Sequence, residues 1–535
     1  MKKFLAFLCA LCCALTLLSP ALAYELREPI GEYPLTTEKE TLTILLPKNT
    51  LVEDYETNQF TLWIEQTTGV DLKFEFLPAD ATEALNKLTI MVSTGQELPD
   101  VVCMGITLEN LSSLVVGGAF LPLNEYVGTV TPNFDAACAA FPEYEMVKYS
   151  TSADGNIYGL PVLSSGIHDQ VQHKLVMNTK WLETLGLEAP KTTDDLYNVL
   201  KAFKEQDPNG NGIADEYPLI GSTTYDPSIS IMNAFIYDDN DQHIVIEDGT
   251  VKPAYTQDAW REGLRYLNKL CTEGLLAPIT YTQDYAQERS IVNNEDACIV
   301  GAFQYYSQNV LGTTSPYYND FFIVAPVTGP EGVQYASYAR AYPKPIWFVT
   351  KNCKNPELAV KVADLLYSDT AALLNRFGIE GEHYTLAKEG DICCFTDFDP
   401  ILMQTNEGID LWSKVQNVYW RYAAPGVYNH LLNSYVWNGD ELNGNWRIGQ
   451  GASYYFKFRP AEGTYLPLLM YTEDEIFDLA DYKTSVLNTV NEYKVRFITG
   501  DLDVEKDWDS YLNELNANGL EDYMKLLQTV YDRQK

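Results

Sequence analysis

The chain has 535 residues, of which 46% are hydrophobic and 21% charged, a balance typical of folded proteins and long enough for two or more domains. Asp and Glu number 74 against 37 Lys and Arg, which gives a formal net charge of −37. This charge disfavours nucleic acid and anionic membranes as partners, and an acidic polymer would need a local cluster of Arg or Lys, so a neutral ligand is expected.

The N-terminus has the pattern of a secretory signal peptide. A positive start at Met1–Lys3 precedes an apolar run of 15 residues, Phe4–Leu18, which is short for a membrane span. Ala21-Leu22-Ala23 then supplies the small residues that signal peptidase reads. We therefore expect a signal peptide over 1–23, cleavage after Ala23 and a secreted, cell-envelope protein. No Leu-small-small-Cys pattern is present, so a lipid anchor is not expected.

Strand and helix patterns alternate in the first part of the mature chain. Residues 24–40 are polar, contain two prolines and predict a flexible leader. Apolar runs and period-two alternation predict strands at 41–46, 70–76 and 99–102, and amphipathic spacing predicts helices at 53–68 and 80–94. This order predicts an α/β unit on a largely parallel sheet.

A second α/β unit follows. Its predicted strands lie at 157–161, 174–178, 297–300, 321–324 and 346–349. One predicted helix begins at Thr192, where Asp195 completes a capping box, and two more cover 258–272 and 356–367. Beyond residue 370 helices dominate.

The segment 207–216 has the spacing of a calcium loop. Side-chain oxygens recur at positions 1, 3, 5 and 9, a glycine occupies position 6, and position 7 offers a backbone carbonyl. Position 12 is Pro218 rather than the usual glutamate, so Glu216 is the available substitute. The expected ligands are Asp207, Asn209, Asn211, Ile213 (carbonyl), Asp215 and Glu216. We expect a structural Ca²⁺ here; the alternative is a hydrogen-bonded turn without metal.

Catalytic motifs are not found. The sequence contains no G-x-S-x-G, G-x-x-x-x-G-K-[ST], G-x-G-x-x-G or H-E-x-x-H, and its five histidines are scattered singly. Seven cysteines follow the signal peptide, with no C-x-x-C spacing; they are expected to be small buried side chains, with one or two disulfides as the alternative. We therefore expect a protein that is not an enzyme.

Aromatic residues give a further signal for function. Phe303 and Tyr305 follow the strand predicted at 297–300, and Trp437 and Trp446 lie among Asn, Asp and Gly residues typical of loops. A flat ring beside hydrogen-bonding side chains is suited to the apolar face of a sugar. The alternative is that each ring fills a core.

Several motifs resemble a known family. They are Ser93–Val101, Asp154–Pro161, Asn178–Leu187, Pro190–Glu216, Gly263–Leu275, Thr350–Glu357 and Phe377–Tyr384. In this order they resemble the extracellular solute-binding proteins of carbohydrate ABC importers, in the large oligosaccharide-binding branch with alginate-binding and LplA-like members. The resemblance implies an α/β, periplasmic-binding-protein-like fold: two α/β lobes, a cleft that closes over the ligand, a helix-rich C-terminal part and delivery to membrane permease subunits.

The resemblance also implies an assignment of lobes and site residues. Lobe 1 is expected over 41–160 and 325–370, and lobe 2 over 161–324 and 371–535. In relatives with the same loop, calcium is held through residues that match the six ligands above, and a stacking position matches Phe303–Tyr305. The expected ligand-binding residues are Phe303, Tyr305, Trp347, Trp437 and Trp446.

Together these observations predict a monomeric, non-enzymatic receptor that binds a neutral oligosaccharide outside the cell for import. A peptide or other nutrient receptor of the same fold is one alternative, favoured by a cleft without stacked rings. A secreted glycan-active enzyme is another; it needs two facing carboxylates roughly 5–9.5 Å apart. Local exceptions to the negative charge are Arg340, Arg421, Arg447 and Arg459.

Overall fold

A computed structural model describes residues 24–312, 314–421 and 423–535. The signal peptide expected at 1–23 lies outside the described residues. No described helix combines the length and the apolar character that crossing a membrane requires.

Strands and helices alternate over most of the chain. The strands are β1 (Glu40–Pro47), β2 (Val70–Leu77), β3 (Val101–Cys103), β4 (Gly159–Leu163), β5 (Lys174–Asn178), β6 (Ile244–Glu247), β7 (Thr250–Pro253), β8 (Ala302–Tyr305), β9 (Phe321–Ile323), β10 (Lys344–Val349), β11 (Tyr384–Leu386), β12 (Leu402–Gln404) and β13 (Gly426–Val427). The helices are α1 (Gln59–Thr68), α2 (Ala81–Ser93), α3 (Leu108–Val116), α4 (Pro132–Ala140), α5 (Met146–Ser150), α6 (Ile167–Gln170), α7 (Thr179–Leu185), α8 (Thr193–Glu205), α9 (Ser228–Met232), α10 (Asp258–Thr272), α11 (Tyr285–Val292), α12 (Pro356–Leu365), α13 (Asp369–Phe377), α14 (Asn406–Asp410), α15 (Asn429–Leu432), α16 (Gly444–Phe456), α17 (Glu473–Thr499), α18 (Trp508–Ala517) and α19 (Leu520–Gln534).

The first sheet has six strands in the order β13-β4-β10-β3-β1-β2. β1 is parallel to both β2 and β3, whereas β10 is antiparallel to β3 and β4. Leu42, Ile44 and Leu46 of β1 pack into one core cluster and Leu45 into another. Both faces of this sheet are therefore covered, which is why β1 is an almost continuous apolar run.

The second sheet has three strands in the order β8-β5-β9, with β5 antiparallel to both neighbours. β8 covers Ala302–Tyr305, so the strand predicted at 297–300 is wrong: Val300 makes only an isolated bridge, to Tyr217. The helix predicted to begin at Thr192 is confirmed as α8, with its capping box. The largest core cluster surrounds this sheet.

Helices make up most of the chain after residue 440. α17 is the longest, with 27 residues; it begins with a capping box at Thr472 and ends at Gly500, whose φ of 85° only glycine adopts easily. It packs against α10, α18 and α19 through Val486, Val490 and Phe497. The expected helix-rich C-terminal part is confirmed.

Two segments carry the chain between the two sheets. Residues 164–173 join β4 to β5 and residues 324–343 join β9 to β10, whereas the later strand β13 pairs with β4 in the same sheet as β10. Gln416 also bridges to Val52, beside β1. Gln416 and β13 thus lie with the first sheet, which favours placing this part of the chain with lobe 1; the lobe boundaries stay predictions.

The N-terminal segment 24–39 is packed against the body rather than free, which corrects the prediction of a flexible leader. The Tyr24 hydroxyl donates to Asp369 Oδ2 at 2.9 Å, and Arg27 forms an ion pair with the same carboxylate. The Leu35 amide donates to the Thr68 carbonyl at 2.8 Å. A wholly buried carboxylate needs such partners, and the leader provides them.

Candidate functional site

The carboxyl ends of β1 and β3 mark the point where the connections of the first sheet change direction. β1 leads through α1 to β2 on one side, and β2 leads through α2 to β3 on the other side of β1. In open α/β sheets, ligands bind in the crevice outside the carboxyl ends of the strands at such a point. The topology of this sheet therefore predicts where a ligand site lies.

A cavity of about 280 Å³ opens at this edge. Lys48 and Asn49 follow directly after β1, Gly105 follows β3, and Lys344 is the first residue of the antiparallel β10. The described lining comprises Pro47, Lys48, Asn49, Tyr55, Ala79, Ala81, Cys103, Met104, Gly105, Lys344, Ile346, Trp420, Arg421 and Ala423. The volume is at the small end for ligand pockets, so it suits one end of a longer ligand.

Two aromatic residues form the buried wall of this cavity. Trp420 is fully buried and its Nε1 donates to Thr61 Oγ1 at 2.8 Å. Tyr55 is 3% exposed, and its hydroxyl accepts a hydrogen bond from the Asn49 amide. Burial raises the pKa of Tyr55 to about 12. Both rings are thus fixed by hydrogen bonds and packing, which gives the cavity a rigid wall.

Three positive charges, Lys48, Lys344 and Arg421, line the same cavity. Lys344 extends over Gly105, where an added Cβ would lie only 2.7 Å from its Cε. Arg421 Nη1 donates to the Trp412 carbonyl at 2.9 Å, and its backbone has a φ of 53°, in the left-handed region. Among the described residues, no carboxylate oxygen lies within 4.0 Å of these charged nitrogens, and none lines the cavity.

One edge of the second sheet faces this crevice. β5 begins at Lys174, which pairs with Tyr305 at the end of β8. Only the short segment 164–173 separates the carboxyl end of β4 from the start of β5. The end of β8 therefore lies on the side of the second sheet that is directed towards the first.

Four tyrosines cluster at this end of β8. Tyr285 stacks on Tyr305 with ring centroids 5.5 Å apart and an interplanar angle of 4°, and their hydroxyls are 3.1 Å apart. Tyr225 contacts Tyr305 edge to face at 4.4 Å, and Tyr306 lies 4.3 Å from Tyr305. Tyr225, Tyr285 and Tyr306 are partly exposed. The cluster offers ring surfaces and hydroxyls suited to a sugar.

Glu288 lies one helical turn after Tyr285 in α11 and is fully buried. Burial raises the pKa of its carboxyl to about 7, and neither carboxyl oxygen has a hydrogen-bond partner in the described chain. Because the ordinary pKa of Glu is about 4.3, the folded state binds this proton more tightly than the unfolded state. The stability that it contributes is present at low pH and lost as the pH rises.

We expect the free energy of unfolding to fall by about 2 kcal/mol between pH 5 and pH 7 because of this group. Glu288→Gln should remove that part of the decline. Urea titrations of both proteins across this pH range test the prediction. An equal fall in the free energy of unfolding with pH for Glu288→Gln and the parent protein would contradict it. Glu295→Gln, which changes an exposed side chain, is the control.

The predicted stacking residues lie in different environments. Phe303 and Trp347 are 0% exposed, Phe303 against Phe321 and Trp347 within the core of the first sheet. Neither ring is accessible to a ligand, because each one fills the core against its own sheet. Tyr305, 6% exposed, belongs to the tyrosine cluster.

Trp437 and Trp446 stack on each other, with centroids 4.4 Å apart and an interplanar angle of 24°. The Trp437 Nε1 donates to the Asp440 carbonyl at 3.0 Å. Arg447 donates to the Phe321 carbonyl at the start of β9, which is the opposite edge of the second sheet from the end of β8. The structure therefore brings these two rings together, but not with Tyr305.

The predicted calcium loop is a tight turn whose polar groups converge. Asp207 accepts hydrogen bonds from the amides of Asn211 and Gly212 at 3.1 and 3.0 Å. The side-chain amides of Asn209 and Asn211 both donate to Asp215, at 3.2 to 3.3 Å. Rotating each amide by 180° would present its oxygen in place of its nitrogen.

The environment of the Glu216 carboxyl group tests whether this loop suits a cation. Its Oε1 is buried and has no hydrogen-bond partner among the described residues. Burial raises the pKa of Glu216, and the nearby carboxylates of Asp215 and Asp207 raise it further. Three carboxylates and two amides around an unsatisfied buried oxygen fit a hard cation such as Ca²⁺.

A separate acidic cluster, Asp238 and Asp239, lies beside His243. Asp238 Oδ1 and His243 Nδ1 are 2.6 Å apart and buried, while Asp239 accepts the amides of Asp241, Gln242 and His243. The pKa of His243 is raised: burial lowers it, but the charge of Asp238 outweighs burial. This is a buried ion pair that stabilises a turn.

All seven cysteines of the described chain are free thiols. Cys103, Cys271, Cys353, Cys393 and Cys394 are buried, as expected for small apolar side chains. The Cys103 thiol donates to the Ala423 carbonyl beside the cavity, and burial raises its pKa.

Sequence reasoning missed Lys48, Lys344, Tyr306 and Glu288 as site residues. A signal for the first was available, because Lys48 directly follows a correctly predicted strand at the carboxyl edge of a parallel sheet. No comparable signal existed for Glu288, one of 74 acidic residues.

Comparison with known proteins agrees with this architecture. The fructooligosaccharide ABC transporter substrate-binding protein FusA of Streptococcus pneumoniae serotype 4 is 27% identical over 518 residues, 94% of this chain and 91% of FusA. A solved HMO-binding, ABC-transporter-associated solute-binding protein from Bifidobacterium longum infantis covers 92% of this chain and 99% of its own, with 18% identity and a TM-score of 0.76. A FusA EF-hand mutant in complex with fructo-nystose, from S. pneumoniae, gives 23% identity, the same coverage and a TM-score of 0.71.

The likeness to the solved structures shows that the chain has the mixed α/β fold of solute-binding proteins, with its two sheets and many helices. The family of bacterial extracellular solute-binding proteins matches residues 49–373, more than half of the sequence. This chain therefore belongs to the family of bacterial extracellular solute-binding proteins.

Proposed function

We propose that this protein is the extracellular receptor of an ABC importer and that it binds an oligosaccharide between its two lobes. The observation that carries the proposal is the cavity at the carboxyl ends of β1 and β3, together with the tyrosine cluster at the end of β8, on the side of the second sheet directed towards the first. The relatives FusA and the HMO-binding protein are named for oligosaccharide ligands and ABC transporters, which supports the same role here.

The two lobes follow the two sheets in this proposal. Lobe 1 comprises 41–160, 325–370 and the reassigned 416–427, and lobe 2 the remainder after residue 160. Closure of the lobes buries the ligand. The closed receptor with its bound ligand is then presented to the permease subunits. The receptor acts as a monomer, and signal peptidase cleaves the chain after Ala23.

Ca²⁺ is proposed as a structural ion of lobe 2. Asp207, Asn209, Asn211, the Ile213 carbonyl, Asp215 and Glu216 would hold it. The EF-hand named for the FusA structure supports a calcium loop in a relative of similar fold. The ion supplies a charge that gathers the three carboxylates and fixes the turn after α8.

Ring stacking carries part of the ligand affinity. Tyr305 and Tyr306 are the proposed stacking residues, while Trp437 and Trp446 remain a second proposed contact, if their stacked faces separate on binding. A peptide receptor would have no need of such a cluster at the cleft.

A thermal-shift screen with oligosaccharides, followed by calorimetry, tests the proposed function. We expect at least one oligosaccharide to bind with a Kd of about 1 μM or less. Tyr306→Ala should weaken that binding about 3- to 10-fold because a stacked ring is lost, whereas Tyr306→Phe, which keeps the ring, should change it little. No stabilisation by any oligosaccharide would overturn the proposal.

The same screen separates a receptor from a glycan-active enzyme. We propose no hydrolysis, because the described lining of the cavity supplies no pair of carboxylates for acid–base chemistry. Release of reducing ends from a bound oligosaccharide by the pure protein would show the enzyme instead.

A further inference from the structure

The cavity at the end of β1 collects positive charge in a chain that is otherwise strongly acidic. Acidic residues outnumber basic ones two to one, and about half of the lysines and arginines in the described chain form an ion pair with a carboxylate. Lys73 with Glu56 and Arg265 with Glu505 are examples. A cavity with three basic residues and, in the part of the chain described, no acidic one is therefore an unusual local environment.

Two of these charges are held in position by the backbone. Lys344 lies across Gly105, whose missing side chain leaves room for the ammonium group: a Cβ there would be 3.0 Å from Nζ. The residues that follow Gly105 and Lys344 are joined by a hydrogen bond from the Ile106 amide to the Pro345 carbonyl at 3.1 Å, which holds the two backbones side by side. Any residue larger than glycine at 105 would displace the charge.

Arg421 is oriented by its own main chain and by its neighbours. Its φ of 53° lies in the left-handed region, which is strained in a residue with a Cβ, and such strain concentrates at binding sites. Nη1 donates to the Leu411 and Trp412 carbonyls, and Nε and Nη2 have no partner among the described residues. This free edge of the guanidinium matches the two oxygens of a carboxylate.

The net charge of −37 does not exclude an anionic ligand at this place. At physiological ionic strength, exposed charges are screened beyond about 8 Å. Asp80 lies between the lining residues Ala79 and Ala81 but does not itself line the cavity, so the charged side chains in direct contact with the cavity are the three basic ones. The local cluster that an acidic glycan requires is therefore present.

We propose that this cavity binds the anionic group of an acidic sugar, a carboxylate or a sulfate, so that the oligosaccharide is anionic rather than neutral. The inference rests on the proposed function, and it replaces the neutral ligand expected from net charge. Arg421 and Lys344 contact the anionic oxygens, and Lys48 adds a third positive charge at the rim.

The test compares matched pairs of oligosaccharides. One pair is trigalacturonate and its methyl ester; the other is a sulfated carrageenan oligosaccharide and its desulfated form. Binding is measured by calorimetry at 50 and 500 mM NaCl. We expect an acidic member to bind at least ten-fold more tightly than its neutral partner, with the difference reduced at high salt. The pair that shows the difference identifies carboxylate or sulfate as the group.

Variants assign the effect to the cavity. Two substitutions remove one charge each: Lys344→Met and Arg421→Asn, where asparagine is chosen because it tolerates a positive φ. Each should weaken binding of the acidic ligand about ten-fold and binding of its neutral partner less than two-fold. Gly105→Ala should weaken the acidic ligand while leaving net charge unchanged. Lys191→Met, on an exposed residue far from any cavity lining, is the matched control and should change nothing.

The outcomes are distinct. If the tightest ligand of a wider panel is neutral, or if an acidic ligand binds equally well to Lys344→Met and Arg421→Asn, the inference is overturned and the proposed function stands. If no oligosaccharide of either kind binds, the proposed function fails and the inference fails with it.

Discussion

Asp369→Ala should lower the free energy of unfolding by about 3–5 kcal/mol at pH 7, the largest effect that we expect from a single substitution. The Asp369 side chain is 0% exposed, forms an ion pair with Arg27 and accepts a hydrogen bond from His430 Nε2 at 3.0 Å. It also accepts hydrogen bonds from the Tyr24 hydroxyl and the Arg27 amide, both at 2.9 Å. Its removal leaves the Arg27 guanidinium without a counter-charge, leaves the His430 ring without its acceptor and detaches the N-terminal segment.

The pH dependence of this effect has a definite sign. Burial alone would raise the pKa of Asp369, but hydrogen bonds from His430 and Arg27 and their charges hold it well below its usual range. A lowered folded-state pKa contributes stability above the unfolded-state value of about 3.9. The difference between Asp369→Ala and the parent protein should therefore be full at pH 7 and shrink as the pH falls below about 4.

Urea titration at pH 7 and pH 3.5 measures both the loss of stability at neutral pH and its decrease at low pH. Asp481→Ala, which removes an exposed carboxylate, is the control and should shift the free energy of unfolding by less than about 0.5 kcal/mol. A protein that lacks residues 24–28 should lose a comparable amount of stability. A loss below about 1 kcal/mol for Asp369→Ala would show that the N-terminal segment is not anchored as described.

Removal of calcium should destabilise the protein by about 2.7 kcal/mol when free Ca²⁺ is 100 times its Kd. The reason is that Asp207, Asp215 and Glu216 would then repel one another around the buried Glu216 Oε1, which has no partner in the described chain. The melting temperature should fall by a few degrees on addition of a chelator. Added Ca²⁺ should restore it, and Mg²⁺, which keeps its waters and demands octahedral geometry, should not.

Asp207→Ala is the variant that links this effect to the loop. Its melting temperature should be low with or without chelator, because the first ligand position is missing. Asp532→Ala, at an exposed position, should respond to the chelator like the parent protein. Equal melting temperatures of the parent protein with and without chelator would contradict the calcium site.

Local sequence patterns predicted β1 and β2 of the first sheet because their apolar character is independent of tertiary context, whereas the short β13 was not predicted. The run 41–46 corresponds to β1, and the alternation over 70–76 corresponds to β2. Thr192 and Asp195 likewise predicted the start of α8 through contacts three residues apart. Such signals lie within one turn or one strand.

The site residues depend on contacts between distant parts of the chain. Phe303 and Trp347 are as aromatic as Tyr306, and only the packing of whole sheets decides that the first two are buried. Arg421 reaches the cavity because residues 416–427 return to the first sheet, more than 300 positions after Lys48. Sequence spacing contains no information on such a return.

The position of Lys344 has a mechanical consequence. It directly follows residues 324–343, one of the two segments that join the sheets, and it lines the cavity together with Arg421. Connecting segments are where the backbone rotates when two lobes close. A molecule bound to Lys344 therefore touches the end of a connecting segment, so that binding and lobe rotation act on the same part of the backbone.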